Sequence, residues 1–130
     1  MSLQISQVIA EPDNTTAFLH SQAIRAGDFL FVSGQASIDD SGAVIGIGDF
    51  DAQAARTFHN LDRVLRAGGS SLSRIVKVTI FLTDMGNFPK IIELRRKHFS
   101  APYPADTLVE VSSLFSKDAM IEIEAIAVVG

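Results

Sequence analysis

Ile75-Val76-Lys77-Val78-Thr79-Ile80-Phe81-Leu82-Thr83 decides the fold. Val76, Val78, Ile80 and Leu82 fall on one face of an extended chain, and Ile75, Thr79 and Phe81 on the other. A strand with apolar residues on both faces needs cover on both. Before it, Phe50, Ala54, Phe58, Leu61 and Leu65 recur every three or four residues and make one helical stripe. Asp49 or Asp51 can open that helix by accepting from its free N–H groups, and Gly68-Gly69 closes it. Arg63 and Arg66 near that end suit the helix dipole. After the strand, Asn87 reads as an N-cap and Pro89 falls in the first turn, where its missing N–H costs little. Phe88, Ile91, Ile92, Leu94 and Phe99 then supply a second apolar surface, on a helix ending near His98.

Further out, residues 21–24 and 28–33 read as strands joined through Arg25-Ala26-Gly27. Gly34 breaks the second, and Asp39-Asp40-Ser41-Gly42 is a turn cluster. Ala101-Pro102-Tyr103-Pro104 leads rigidly into final strands over about 107–111 and 119–129. The order ββ-α-β-α-ββ defines an α+β protein, read as a single domain over residues 1–130. Helices gathered on one face would leave the other sheet face bare, and a second subunit is the simplest cover.

Composition narrows the function. The chain has no cysteine, which excludes disulfides, thiol nucleophiles and thiolate metal sites and accords with a cytoplasmic protein. A net charge of −4 and a pI near 5.2 argue against nucleic-acid binding, which needs clustered cations. No apolar run approaches the roughly 20 residues that span a bilayer, and no signal-peptide core is visible. Met1-Ser2-Leu3 carries no weight in the reading. Hydrophobic residues make up 47% of the chain, enough that some should be buried between subunits. His20, His59 and His98 lack a metal-ligand spacing, and Gly42, Gly46 and Gly48 form no phosphate-binding loop.

Four blocks carry a family resemblance: Phe31-Val32-Ser33-Gly34-Gln35, Thr79-Ile80-Phe81-Leu82-Thr83-Asp84-Met85, Pro104-Ala105-Asp106-Thr107 and Ile121-Glu122-Ile123-Glu124-Ala125-Ile126-Ala127. Their order and spacing resemble the RidA (YjgF) family, over nearly the whole chain. The resemblance implies a chorismate mutase-like subunit, a mixed sheet of about six strands with two helices on one face. It further implies a homotrimer with small-molecule clefts between subunits. The implied reaction is hydrolysis of reactive enamines or imines, such as 2-aminoacrylate, to a keto acid and ammonia, without metal or organic cofactor. Three positions depart from the active pattern: Asp106 replaces a carboxylate-binding arginine, His20 a tyrosine, and Ile92 an asparagine. Arg25, Arg95 and Arg96 are the positions from which the lost charge can be resupplied.

By family position, Glu122 is the catalytic candidate, a carboxylate able to take a proton from attacking water. By alternation alone it reads as one of a surface-facing pair with Glu124, and the resemblance reverses that reading. For substrate binding the candidates are Ser33, Gly34, Asp106, Thr107, His20 and Tyr103. Each has a plain alternative. Ser33 and Gly34 either offer backbone N–H groups or end a strand. Asp106 either selects ligand charge or caps a loop. Thr107 is a cleft hydroxyl or a β-branched strand starter, Tyr103 a cleft wall or packing. Two functions follow: an imine or enamine hydrolase with altered substrate choice, or a non-catalytic metabolite-binding trimer. The ribonuclease reading found among relatives conflicts with the acidic balance.

Overall fold

In a computed structural model, residues 4–130 are described; Met1-Ser2-Leu3 lies outside them. Six strands form one mixed sheet in the order β1-β2-β3-β6-β4-β5. They are β1 (Ile5–Val8), β2 (Ala23–Ala26), β3 (Phe29–Ala36), β4 (Ile75–Leu82), β5 (Ala105–Glu110) and β6 (Ile121–Val128). The helices are α1 (Phe50–Ala67) and α2 (Phe88–His98). β4 and β5 pair in parallel and every other pair is antiparallel. Since β3 and β4 both oppose β6, they run parallel to each other, and α1 crosses between them. α2 makes the next crossover, from β4 to β5.

The sequence signals place these elements with small shifts. Asp49, not Asp51, caps α1, accepting from the Ala52 N–H at 3.1 Å; Asp51 lies within the first turn and pairs with Lys90. Gly69 takes the left-handed conformation (φ +82) that closes α1. Asn87 makes no side-chain cap on α2. Asp84 caps the 3₁₀ turn before it instead, accepting from Gly86. The first hairpin turns at Gly27-Asp28 rather than at Arg25-Ala26-Gly27, because Gly27 is the residue with positive φ. β1 was not expected. Beyond it, the Gln22 amide accepts from the Ala10 N–H (2.6 Å) and donates to the Ala10 carbonyl (3.0 Å), imitating one more rung of pairing.

The core lies between the helices and one sheet face. Leu30, Val32, Val78, Ile80, Leu82, Ile121, Ile123, Ala125 and Ala127 meet Phe58, Leu61, Val64 and Leu65 of α1 and Ile91 of α2. Each large side chain so buried stabilises by about 1.5–3 kcal/mol. The α2 surface is split: Ile91 and Phe99 are buried, whereas Phe88 and Ile92 are about 41% exposed. His98 is a partly exposed helix residue, as expected, and its ring stacks on Phe58 with centroids 3.9 Å apart. Gln53 is fully buried and donates to the Gly46 and Asp118 carbonyls (3.1 and 2.8 Å). It accepts from the Met120 N–H at 2.9 Å, which fastens the loop before β6 to α1.

On the opposite face none of the described residues covers the sheet. Phe29 and Phe31 stand there 45% and 46% exposed, on the strand whose alternate residues Leu30 and Val32 are core. The described part of the chain thus leaves bare the face that the sequence marks as apolar.

Candidate functional site

Glu122 lies on that open face. Its neighbours along β6, Ile121 and Ile123, point into the core, so alternation sends the carboxylate the other way. Across the sheet it stands between Ala36 of β3 and Phe81 of β4. The pairing of β3 with β6 shifts register between Val32 and Gln35, at Ser33-Gly34. A Cβ on Gly34 would come within 2.8 Å of both Cδ and Oε1 of Glu122. Glycine is therefore needed here for space: the carboxyl lies against the bare backbone. Partial burial pushes the Glu122 carboxyl above the ordinary range, and nearby Glu124 pushes it further the same way. Neither a cation nor a hydrogen bond counterbalances these two influences.

Beside Glu122 the open face carries a polar row. Thr79 of β4 stands opposite both Glu124 and Thr107. The Thr107 hydroxyl accepts from Lys77 Nζ at 2.6 Å. The Ser33 groups are committed elsewhere: its N–H donates to the Gln22 carbonyl (2.9 Å) and its hydroxyl to the Ser21 carbonyl (2.6 Å). The expectation that Ser33 offers a free N–H to a ligand is corrected, because hairpin pairing uses it. His20 is exposed just before β2, with Nδ1 3.2 Å from the Ser21 carbonyl. It follows Leu19, a non-glycine residue with φ +61 that is 93% exposed.

Asp106 is elsewhere. It pairs in register with Val78, a core residue, so it faces the helices and not Glu122. There Arg95 of α2 grips it with two hydrogen bonds of 2.9 Å, Nε to Oδ2 and Nη2 to Oδ1. Asp106 caps no loop, and its charge is not presented alone to a ligand; a bidentate ion pair holds both oxygens. Arg95, Phe99, Tyr103, Pro104 and Asp106 line an open cleft of ≈ 290 Å³. Tyr103 also borders a second cleft of ≈ 360 Å³, with Arg74, Val76 and Val128.

The sequence-derived candidates thus divide into two groups. Glu122, Gly34 and Thr107 share the open face; Asp106 and Tyr103 share the α2–β5 corner on the other side. Arg95 was one of three arginines considered, and only the fold shows it to be the partner of Asp106. Among the described residues no three His, Asp or Glu side chains gather as metal ligands would. No described helix is long and apolar enough to cross a membrane.

Two crossover helices on one face of a six-stranded mixed sheet, with a partly buried carboxylate on the other, define a small α+β class of protein. Residues 9–129 match the family described as Endoribonuclease L-PSP, and the chain belongs to that family, the RidA/YjgF group. A RutC family protein of Pyrococcus horikoshii is 45% identical over 108 residues, 83% of this chain and 85% of that protein. A 2-iminobutanoate/2-iminopropanoate deaminase of Dermatophagoides farinae is 34% identical over 110 residues, 85% of each chain. Among solved structures, a member of the conserved Rid protein family from Yersinia pestis superposes with a TM-score of 0.88 at 34% identity. That match covers 97% of this chain and 100% of the other.

Proposed function

We propose that the protein is a hydrolytic deaminase of small reactive imines and enamines, with Glu122 as the group that handles water. The observation that carries this reading is the state of Glu122: half-desolvated, without a counter-cation, against the open backbone of Gly34. A carboxylate whose proton affinity is raised by burial is a better base than an exposed one and a usable acid afterwards. Water adds to the imine carbon, its proton passing to Glu122 as the C=N electrons go to nitrogen. The proton is then returned to the nitrogen, giving a carbinolamine. The hydroxyl proton passes through Glu122 to the same nitrogen, the oxygen electrons form C=O as the C–N bond breaks, and ammonia leaves a carbonyl compound. An enamine enters the same path after a proton adds to its β-carbon. Deaminase-named relatives support the reaction class; the net charge of −4 weighs against RNA as substrate.

The two groups of candidates stand on opposite faces of one sheet, so a single chain cannot turn both toward one small molecule. A second copy laid against the exposed Phe29 and Phe31 face would cover that surface and bring one chain's Glu122 toward another's α2–β5 corner. Our reading is a homotrimer with its small-molecule clefts between subunits. A cysteine-free chain fits action in the cytoplasm.

The test joins assembly to chemistry. Light scattering should give about three times the 14.0 kDa chain mass. Ammonia release from an imine generated in situ should fall by about a hundredfold or more in Glu122→Gln, with mass unchanged and melting not lowered. Full turnover in that variant ends the mechanism, and a stable monomer ends the shared cleft.

A further inference from the structure

The Arg95–Asp106 pair forms one wall of the ≈ 290 Å³ cleft at the α2–β5 corner, and among the described residues these are the only charged ones lining it. The side chains are 28% and 16% exposed, so the pair is sheltered yet reachable from the cleft. The contact occupies both Asp106 oxygens and the Nε/Nη2 edge of the guanidinium. Among the described residues, Arg95 Nη1 has no hydrogen-bond partner. The neighbouring cation on the helix, Arg96, is turned to Glu93 outside.

This arrangement has a chemical consequence. A ligand carboxylate entering the cleft meets a guanidinium whose charge is already answered by an anion in contact with it, so attraction and repulsion nearly cancel. To gain the Nε/Nη2 edge it must displace Asp106, leaving that carboxylate sheltered and unpaired, which is costly. An uncharged carbonyl oxygen meets no such conflict. It can accept from Nη1 while the rest of a small flat ligand lies against Phe99, Tyr103 and Pro104.

We propose that this cleft is a substrate subsite for an uncharged carbonyl group, an amide or ester, and that Asp106 occupies as a resident counter-ion the place a substrate carboxylate would take. The proposal rests on the imine/enamine reading for its substrate class, but its test reads binding and not turnover. The probes are 2-oxobutanamide and 2-oxobutanoate, stable compounds of nearly one shape that differ by a charge, titrated into the native assembly by calorimetry or ligand-observed NMR.

The unaltered protein should bind the amide at least tenfold more tightly than the carboxylate. Asp106→Asn keeps the shape but frees the guanidinium charge, and should tighten carboxylate binding about tenfold, so that the preference is lost or reversed. Arg95→Met should weaken the amide by a similar factor. If melting shows that Asp106→Asn unfolds, the preference of the unaltered protein and the Arg95→Met result decide. A preference for the carboxylate in the unaltered protein, an unchanged ratio in folded Asp106→Asn, or no binding of either probe at millimolar concentration would overturn the subsite. Absence of ammonia release alongside the expected ratio overturns only the hydrolase reading.

Discussion

Two carboxylates on neighbouring regions of one sheet meet opposite fates. Glu122 on the open face loses water without gaining a cation, and its proton is held more tightly as a result. Asp106 at the α2–β5 corner loses water and gains a forked guanidinium, so its charge is locked into a pattern. Burial alone therefore does not predict what an acidic side chain does. A desolvated carboxylate left unanswered holds its proton more tightly and can exchange it with a reacting group; one answered by two hydrogen bonds becomes part of the wall.

The contrast breaks most visibly at Gly34. Gly34→Ala places a Cβ 2.8 Å from the Glu122 carboxyl carbon and must push that side chain off the backbone. Turnover should fall by about tenfold or more while melting changes little, since the displaced group lies on an open face. Unchanged kcat would mean that Glu122 has no need of its seat.

Next comes the paired side. Arg95→Leu leaves Asp106 sheltered without its cation, and we expect a loss of about 1–3 kcal/mol, smaller than for a fully buried pair because both groups touch solvent. Adding Asp106→Leu to it should restore much of the loss. If Arg95→Leu alone melts like the parent, the pair is only a surface contact.

The smallest effects are in the pH dependence of stability. Ionising Glu122 is harder in the fold, so its penalty is absent below the unfolded carboxylate pKa and grows as pH rises through the raised folded value. Glu122→Gln should therefore melt slightly higher than the parent at pH 7 and equally at pH 3. His98 behaves in the mirror sense. Burial, and secondarily Lys97, lowers its pKa, with Asp62 pulling weakly the other way. Its stabilising share is present above the ordinary histidine pKa and is lost as pH falls through the folded value. A drop in melting temperature between pH 7 and pH 5 that persists unchanged in His98→Phe would remove that assignment.

Much of this was legible in the chain, and the gaps have identifiable causes. The period-two run from Lys77 to Leu82 and the stripe from Phe50 to Leu65 state their own structure, and the fold follows from their order. At the start of β4 a register shift between Ile75 and Lys77 reverses the expected faces, burying Ile75 and exposing Val76. Ile5-Ser6-Gln7-Val8 is short and at the edge, and its pairing is supplied by β2 and the Gln22 amide rather than by its own pattern. Alternation correctly set Glu122 and Glu124 on one face. It could not tell that Asp106 faces the other way, because that depends on the register of β5 against Val78 and on how α2 is turned toward it. The clearance between Gly34 and Glu122 joins residues 88 positions apart and leaves no local trace. His98 on Phe58 is the same kind of contact, between two helices.

Gln53 links two loops through one amide: Gly46 and residues 118–120 are tied to the same side chain. A displacement of the Gln53 side chain loosens both together. Release of the first turn of α1 frees both at once, so solvent exchange at the Met120 N–H is a counter of how often that turn opens, and Gln53→Ala would leave the counter running free.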